Sequence, residues 1–66
     1  MPNNIRHIRE TKGLKQRELA EVTHTCQTII SELEREVRKP WLAVAEKLSQ
    51  ALGVSVWELF PDDFKK

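Results

Sequence analysis

Four polar side chains crowd one short segment: Gln27, Thr28, Ser31 and Glu32. A glutamine can pair with adenine through N6 and N7. A threonine can hydrogen-bond a base or touch a thymine methyl, and a carboxylate can accept from cytosine N4. Arg17 precedes this segment, and Arg35, Arg38 and Lys39 follow it. Guanidinium and ammonium groups neutralise phosphate. Other chemistry is poorly served. His7 and His24 stand with one cysteine and scattered acids, at no metal-ligand spacing. They read as surface or capping histidines, and no metal is expected. There is no glycine-rich phosphate loop, no histidine pair and no nucleophile beside a plausible base, so neither an enzyme nor a cofactor is expected. Cys26 lies at an expected helix start, a place where a thiol can serve as a redox or metal-sensing switch. A redox switch there lacks a resolving thiol, and the plainer reading is a small residue in place of serine.

The bulk properties narrow the class. Sixty-six residues make one domain, 1–66, with 61–66 expected as a frayed tail. The hydrophobic fraction of 39% supports a small helical core and leaves little slack. A single cysteine excludes an internal disulfide and makes a reducing cytoplasm the default. No signal peptide and no membrane span are visible. The net charge of +1 is uninformative, but its distribution is not. Residues 1–17 sum to +4, 18–34 to −4, 35–39 to +2 and 40–66 to −1. Two basic segments flank an acidic one. They can converge into one patch or remain ordinary solvated helix faces.

The elements that must position these residues read as five short helices without a strand. Asn3 or Asn4 can cap the first, with Ile5 and Ile8 inward and Gly13 as a left-handed stop. The second runs from about Gln16 to Val22 and the third from about Gln27 to Glu34. Pro40 precedes a fourth, about Trp41–Leu52, with Leu42, Ala45, Leu48 and Leu52 at helical spacing and Gly53 at its end. In the fifth, Ser55 and Glu58 suggest a capping box, Val54 and Leu59 a hydrophobic staple, and Pro61 a stop. Helices this short are marginal alone and must share one core. Its expected members are Ile5, Ile8, Leu14, Leu19, Ala20, Ile30, Leu33, Leu42, Ala45, Leu48, Leu52, Val54, Val56, Leu59 and Phe60. Ala20 is small where two helices would cross closely, and Ile30 anchors the next helix ten residues on. This is the geometry a helix-turn-helix needs.

The ordered landmarks Ile8-Arg9, Gly13-Leu14, Gln16, Glu18-Leu19-Ala20, Gln27-Thr28, Ile30-Ser31, Leu33-Glu34, Arg38-Lys39-Pro40, Ala51-Leu52-Gly53-Val54-Ser55 and Glu58-Leu59-Phe60 run through nearly the whole chain. With them the chain resembles the lambda-repressor-like helix-turn-helix family, the Cro/CI or XRE class. The resemblance implies a compact five-helix domain that binds double-stranded operator DNA, usually as a symmetric dimer. It implies base or backbone contacts from Gln27, Thr28, Ser31 and Glu32. It places Gln16 at the phosphate backbone or beside the first recognition residue. Phosphate clamping would fall to Arg17, Arg35, Arg38 and Lys39, with Arg6 or Arg9 as further candidates.

Departures from the family pattern carry expectations of their own. His24 stands where glycine is usual, so a positive φ is expected there. Cys26 replaces the usual cap of the recognition helix, leaving Thr25 or water to substitute. Lys15 replaces the usual cap of the second helix. Glu36 replaces a glycine or asparagine, so a different loop is expected there. Glu32 either reads a cytosine or turns back onto a neighbouring arginine. Trp57, Phe60 and Phe64 recur at i, i+3, i+7, either as extra core or as an exposed stripe forming a homodimer interface. Trp41 is expected to cover the loop 35–39.

The leading reading is therefore a sequence-specific transcriptional regulator, a repressor acting on a palindromic operator. The chain is too short for a ligand pocket of its own, so no small-molecule effector is expected. The alternative is an antitoxin-like or other protein-interaction module on the same fold, suggested by the acidic stretch 18–34 and the spare aromatics.

Overall fold

A computed structural model describes residues 4–64 of the protein. Among them are five helices and no strand: α1 Ile5–Thr11, α2 Gln16–Val22, α3 Gln27–Glu34, α4 Leu42–Leu52 and α5 Val56–Leu59. No helix among the described residues is long and apolar enough to cross a membrane. Helix α2 packs on α3, α1 on α3, α2 on α4, and α4 on α5.

The helices stop for one recurring reason. In α1 to α4 the chain turns left-handed just past the last turn, at Gly13 (φ 74), His24 (φ 54), Glu36 (φ 63) and Gly53 (φ 71). Each time the next residue's N–H returns to a carbonyl five residues back: Leu14 to Arg9, Thr25 to Ala20, Val37 to Glu32 and Val54 to Ser49, at 2.9–3.1 Å. These are Schellman ends, which satisfy carbonyls the helix leaves orphaned. Glycine enters this region freely, whereas a side chain costs roughly 1–2 kcal/mol there. His24 and Glu36, which flank α3, therefore carry strain that Gly13 and Gly53 do not. Glu36 adopts the left-handed backbone that a glycine would enter freely, so the departure adds strain at this turn. His24→Gly and Glu36→Gly are each expected to raise the thermal midpoint by about 2–6 °C, as strain relief outweighs the added chain entropy. A melt in which either substitution lowers the midpoint would refute this account.

The core comprises Ile5, Leu19, Ala20, Ile30, Leu33, Val44, Ala45, Leu48, Leu52, Leu59 and Phe60, all under 5% exposed. Ile8, Leu14, Val54 and Val56 pack against it in half-buried positions. Leu42 is 57% exposed, and Val44 takes the place expected of it. At 100° per residue, Val44, Ala45, Leu48 and Leu52 span one face, and Leu42 lies roughly 100° from its centre. Helix α4 begins one residue later than expected, with Trp41 as its N-cap.

Several caps differ from expectation. Asn4 is the N-cap of α1 by position, but its side chain makes no capping bond. Its Nδ2 donates to the Glu58 carbonyl at 2.7 Å, and its backbone N–H donates to the Leu59 carbonyl at 2.8 Å. The start of α1 is thus tied to α5. Asn3, the other cap considered, lies outside the described residues. Ser55 Oγ donates to Glu58 Oε1 at 2.7 Å, so the two side chains bond each other instead of closing a box on the backbone. At α2 the Lys15 N–H donates to Glu18 Oε1 at 2.8 Å, so an acid one turn in serves the start of that helix.

Past α5, the N–H groups of Asp63 and Phe64 return to the Phe60 carbonyl at 3.1 and 3.0 Å. Phe64 meets Phe60 edge-on, with centroids 5.9 Å apart. Residues 61–64 therefore fold back on the core. Residues 65–66, the rest of the expected frayed tail, lie outside the described residues.

Candidate nucleic-acid interface

Helix α3 is amphipathic by sequence, and burial orients it. Ile30 and Leu33 are fully buried, which turns the opposite face outward. At 100° per residue, Thr28, Ser31, Glu32 and Arg35 fall within about 50° of that outward direction, and Gln27 begins the helix at its edge. Gln27 and Thr28 are exposed, and Ser31 is half-buried. Thr25 does not replace the missing cap at Cys26: its hydroxyl donates to the Thr23 carbonyl at 3.1 Å.

The structure brings Gln16, Gln27, Thr28, Ser31 and Arg35 around one shallow concavity. Arg17 lies in an adjoining depression with Gln16 and Gln27, alongside Glu18 and Glu21. Three further expected contacts, Glu32, Arg38 and Lys39, line neither depression. Arg38 Nε donates to Glu32 Oε1 at 2.7 Å, so the acid on α3 turns back onto an arginine. Lys39 shares a cleft with Arg38, Glu36, Asp62 and Asp63, none of which lines the concavity.

Beneath the site lies an ion pair that sequence reasoning did not find. Arg9 binds Glu34 in a fork, Nε to Oε2 at 2.7 Å and Nη2 to Oε1 at 3.2 Å. Its Nη1 reaches the Leu14 carbonyl at 2.8 Å. Gln16 Nε2 adds a third donor to the carboxylate, 3.0 Å from Oε1. The two charged side chains are only 9% and 4% exposed. The hydrogen bond to Glu34 holds the Arg9 pKa above its ordinary value, against desolvation, which pulls it down. Arg9 is thus no candidate for phosphate. Arg6 is exposed and pairs with Glu10 at 3.3 Å. A signal was present: Arg9 follows Ile5 by four residues, and Glu34 follows Ile30 by four. Opposite charges therefore sat on two core-facing stripes.

The network links the site's parts. Glu34 ends α3, Gln16 begins α2, and Arg9 belongs to α1. One carboxylate thus ties three helices together and holds the Gln16 amide beside the recognition helix.

The aromatic stripe is broken. Phe60 is 1% exposed and belongs to the core, so it offers almost no surface of its own. Phe64 is half-buried against it, and Trp57 is 42% exposed. Trp41, at the start of α4, is 44% exposed. It lines a cleft with His24, Thr25, Cys26 and Ile29, beside the turn between α2 and α3.

The helix-turn-helix family model matches residues 5–59. An uncharacterized HTH-type transcriptional regulator, y4dJ of Sinorhizobium fredii, is 40% identical over 57 residues, covering 86% of this chain and 74% of that protein. The restriction-modification controller protein C.AhdI of Aeromonas hydrophila superposes with a TM-score of 0.81 at 33% identity, over 86% of each chain. The SinR protein, solved in complex with SinI, superposes at 0.84 and 33% identity over 94% of this chain and 62% of that one. Five helices in this order, an outward polar face on the third and these relatives lead to one assignment: the chain belongs to the helix-turn-helix family of transcriptional regulators, in the Cro/CI or XRE class.

Proposed function

We propose that the protein is a sequence-specific DNA-binding repressor that sets α3 into the major groove of a palindromic operator as a homodimer. The observation that carries this reading is the concavity where Gln16, Gln27, Thr28, Ser31 and Arg35 converge, opposite the buried Ile30 and Leu33. Glutamine, threonine and serine there have the donors and acceptors that base edges require. Arg17, Arg35 and Lys39 supply the cations for phosphate. The homodimer would use the surface around Trp57 and the edge of Phe64, with Phe60 supporting Phe64 from the core. Repression follows from occupancy, since a protein seated in the groove excludes others from the same duplex.

Selection of bound sequences from random DNA tests the reading. Two half-sites with centres about one helical turn, roughly 34 Å, apart are expected. A single unpaired half-site would remove the dimer, and no enrichment at all would remove DNA reading. A second reading, a protein-interaction module on the same fold, is favoured by the exposed apolar side chains of Val37, Trp41 and Leu42. Binding to the selected duplex that falls steeply with salt supports the first. Weak DNA binding with a copurifying partner supports the second.

A further inference from the structure

Glu32 is an acid on the face of α3 that would meet DNA, and its partner is held beside it by the backbone. The left-handed turn at Glu36 reverses the chain, and the Val37 N–H bonds the Glu32 carbonyl at 3.1 Å. Residue 37 is thereby fastened to residue 32, and the next side chain, Arg38, falls against the Glu32 carboxylate at 2.7 Å. The pair is solvent-facing, with side chains 46% and 27% exposed, so it adds little to folding. Its position matters more. An unpaired carboxylate there would oppose phosphate. Glu32 is also absent from the concavity that gathers the other polar residues of this face.

We infer that Arg38 is a positioning residue whose role is to mask Glu32, so that the two meet DNA as one neutral unit, neither a phosphate clamp nor a base reader. This rests on the DNA-binding reading above. Freed of Glu32, Arg38 would gain a phosphate, and freed of Arg38, Glu32 would repel one. One phosphate contact changes the slope of log affinity against log salt by about 0.9. Over a fourfold change in salt that is about threefold in affinity.

Four proteins decide it: wild type, Glu32→Gln, Arg38→Gln and the double variant. Each is titrated against the selected operator and an unrelated duplex over a salt series. Glu32→Gln is expected to bind both duplexes about 3–10-fold tighter with a steeper slope, and Arg38→Gln about 3–10-fold weaker with a shallower one. The double variant is expected to return to wild-type affinity, slope and selectivity. A double variant as weak as Arg38→Gln makes Arg38 a phosphate clamp and overturns the proposal. Loss of preference at one base position in both Glu32→Gln proteins makes Glu32 a base reader and overturns it equally. The Arg38 Nε–Hε resonance supplies a readout that needs no DNA. It should shift in free Glu32→Gln and stay in place when operator is added to wild type. Movement on adding operator, to where it lies in Glu32→Gln, contradicts masking. If wild type binds no duplex, the functional reading fails, while the resonance still reports whether the pair forms.

Discussion

Replacing Glu34 with alanine is expected to lower the thermal midpoint by about 12–40 °C, enough to leave much of the protein unfolded at ordinary growth temperatures. The estimate starts from the burial of the pair, with side chains 9% and 4% exposed. Removing one partner of a buried pair costs about 3–5 kcal/mol, because the other charge stays buried without compensation. A 66-residue domain has about 3–10 kcal/mol to lose, and each kcal/mol moves the midpoint by about 4–8 °C at this size. Glu34 also accepts from Gln16, so the tie between α2 and α3 goes with it. Arg9→Ala should be about as damaging. The double change Arg9→Met with Glu34→Leu should recover much of the loss, since the charge removed from each side no longer strands the other. Thermal melts followed by circular dichroism measure all of these. A midpoint for Glu34→Ala within a few degrees of wild type would show that the network does not hold the helices together.

Gln27→Ala should behave in the opposite way, sparing the fold and removing discrimination. Gln27 is exposed at the first position of α3 and makes no contribution to the core. The melt should therefore be unchanged. A bidentate glutamine–adenine pair is worth about 1–3 kcal/mol, so affinity for the selected operator should fall roughly 5–150-fold. The unrelated duplex should be little affected, and the salt slope should stay constant, because no phosphate contact is removed. The base opposite Gln27 should become degenerate when the selection is repeated with the variant. An equal loss on both duplexes would instead place Gln27 at the backbone, and the reading of α3 would then rest on Thr28 and Ser31.

These two residues also mark the division between what the chain announces and what it conceals. Gln27 was legible because it opens a short helix whose apolar positions, Ile30 and Leu33, fix the direction of everything else on it. Glu34 was legible as a charge on a core-facing stripe, but its pairing with Arg9 was not, because the two lie 25 residues apart on different helices. Leu42 shows the same limit at close range. Its spacing to Ala45 and Leu48 fits a helix face, yet Val44 fits the face that α4 presents to the core. Spacing alone left two stripes open, and packing against α2 and α5 chose one. The expected contact set divided as well. Gln16, Gln27, Thr28, Ser31 and Arg35 converge, whereas Glu32 is bound by Arg38 and Phe60 has gone into the core.

What the sequence determined by itself was the succession of five helices, their stops and the outward polar face of α3. Those depend on local preferences and on bonds between neighbours along the chain, such as the left-handed turns at Gly13, His24 and Gly53. Tertiary structure alone decided which charges are buried together and which aromatic of the stripe remains exposed. Each is settled by elements that meet only after folding, when burial makes an unpaired charge or an unfilled space costly.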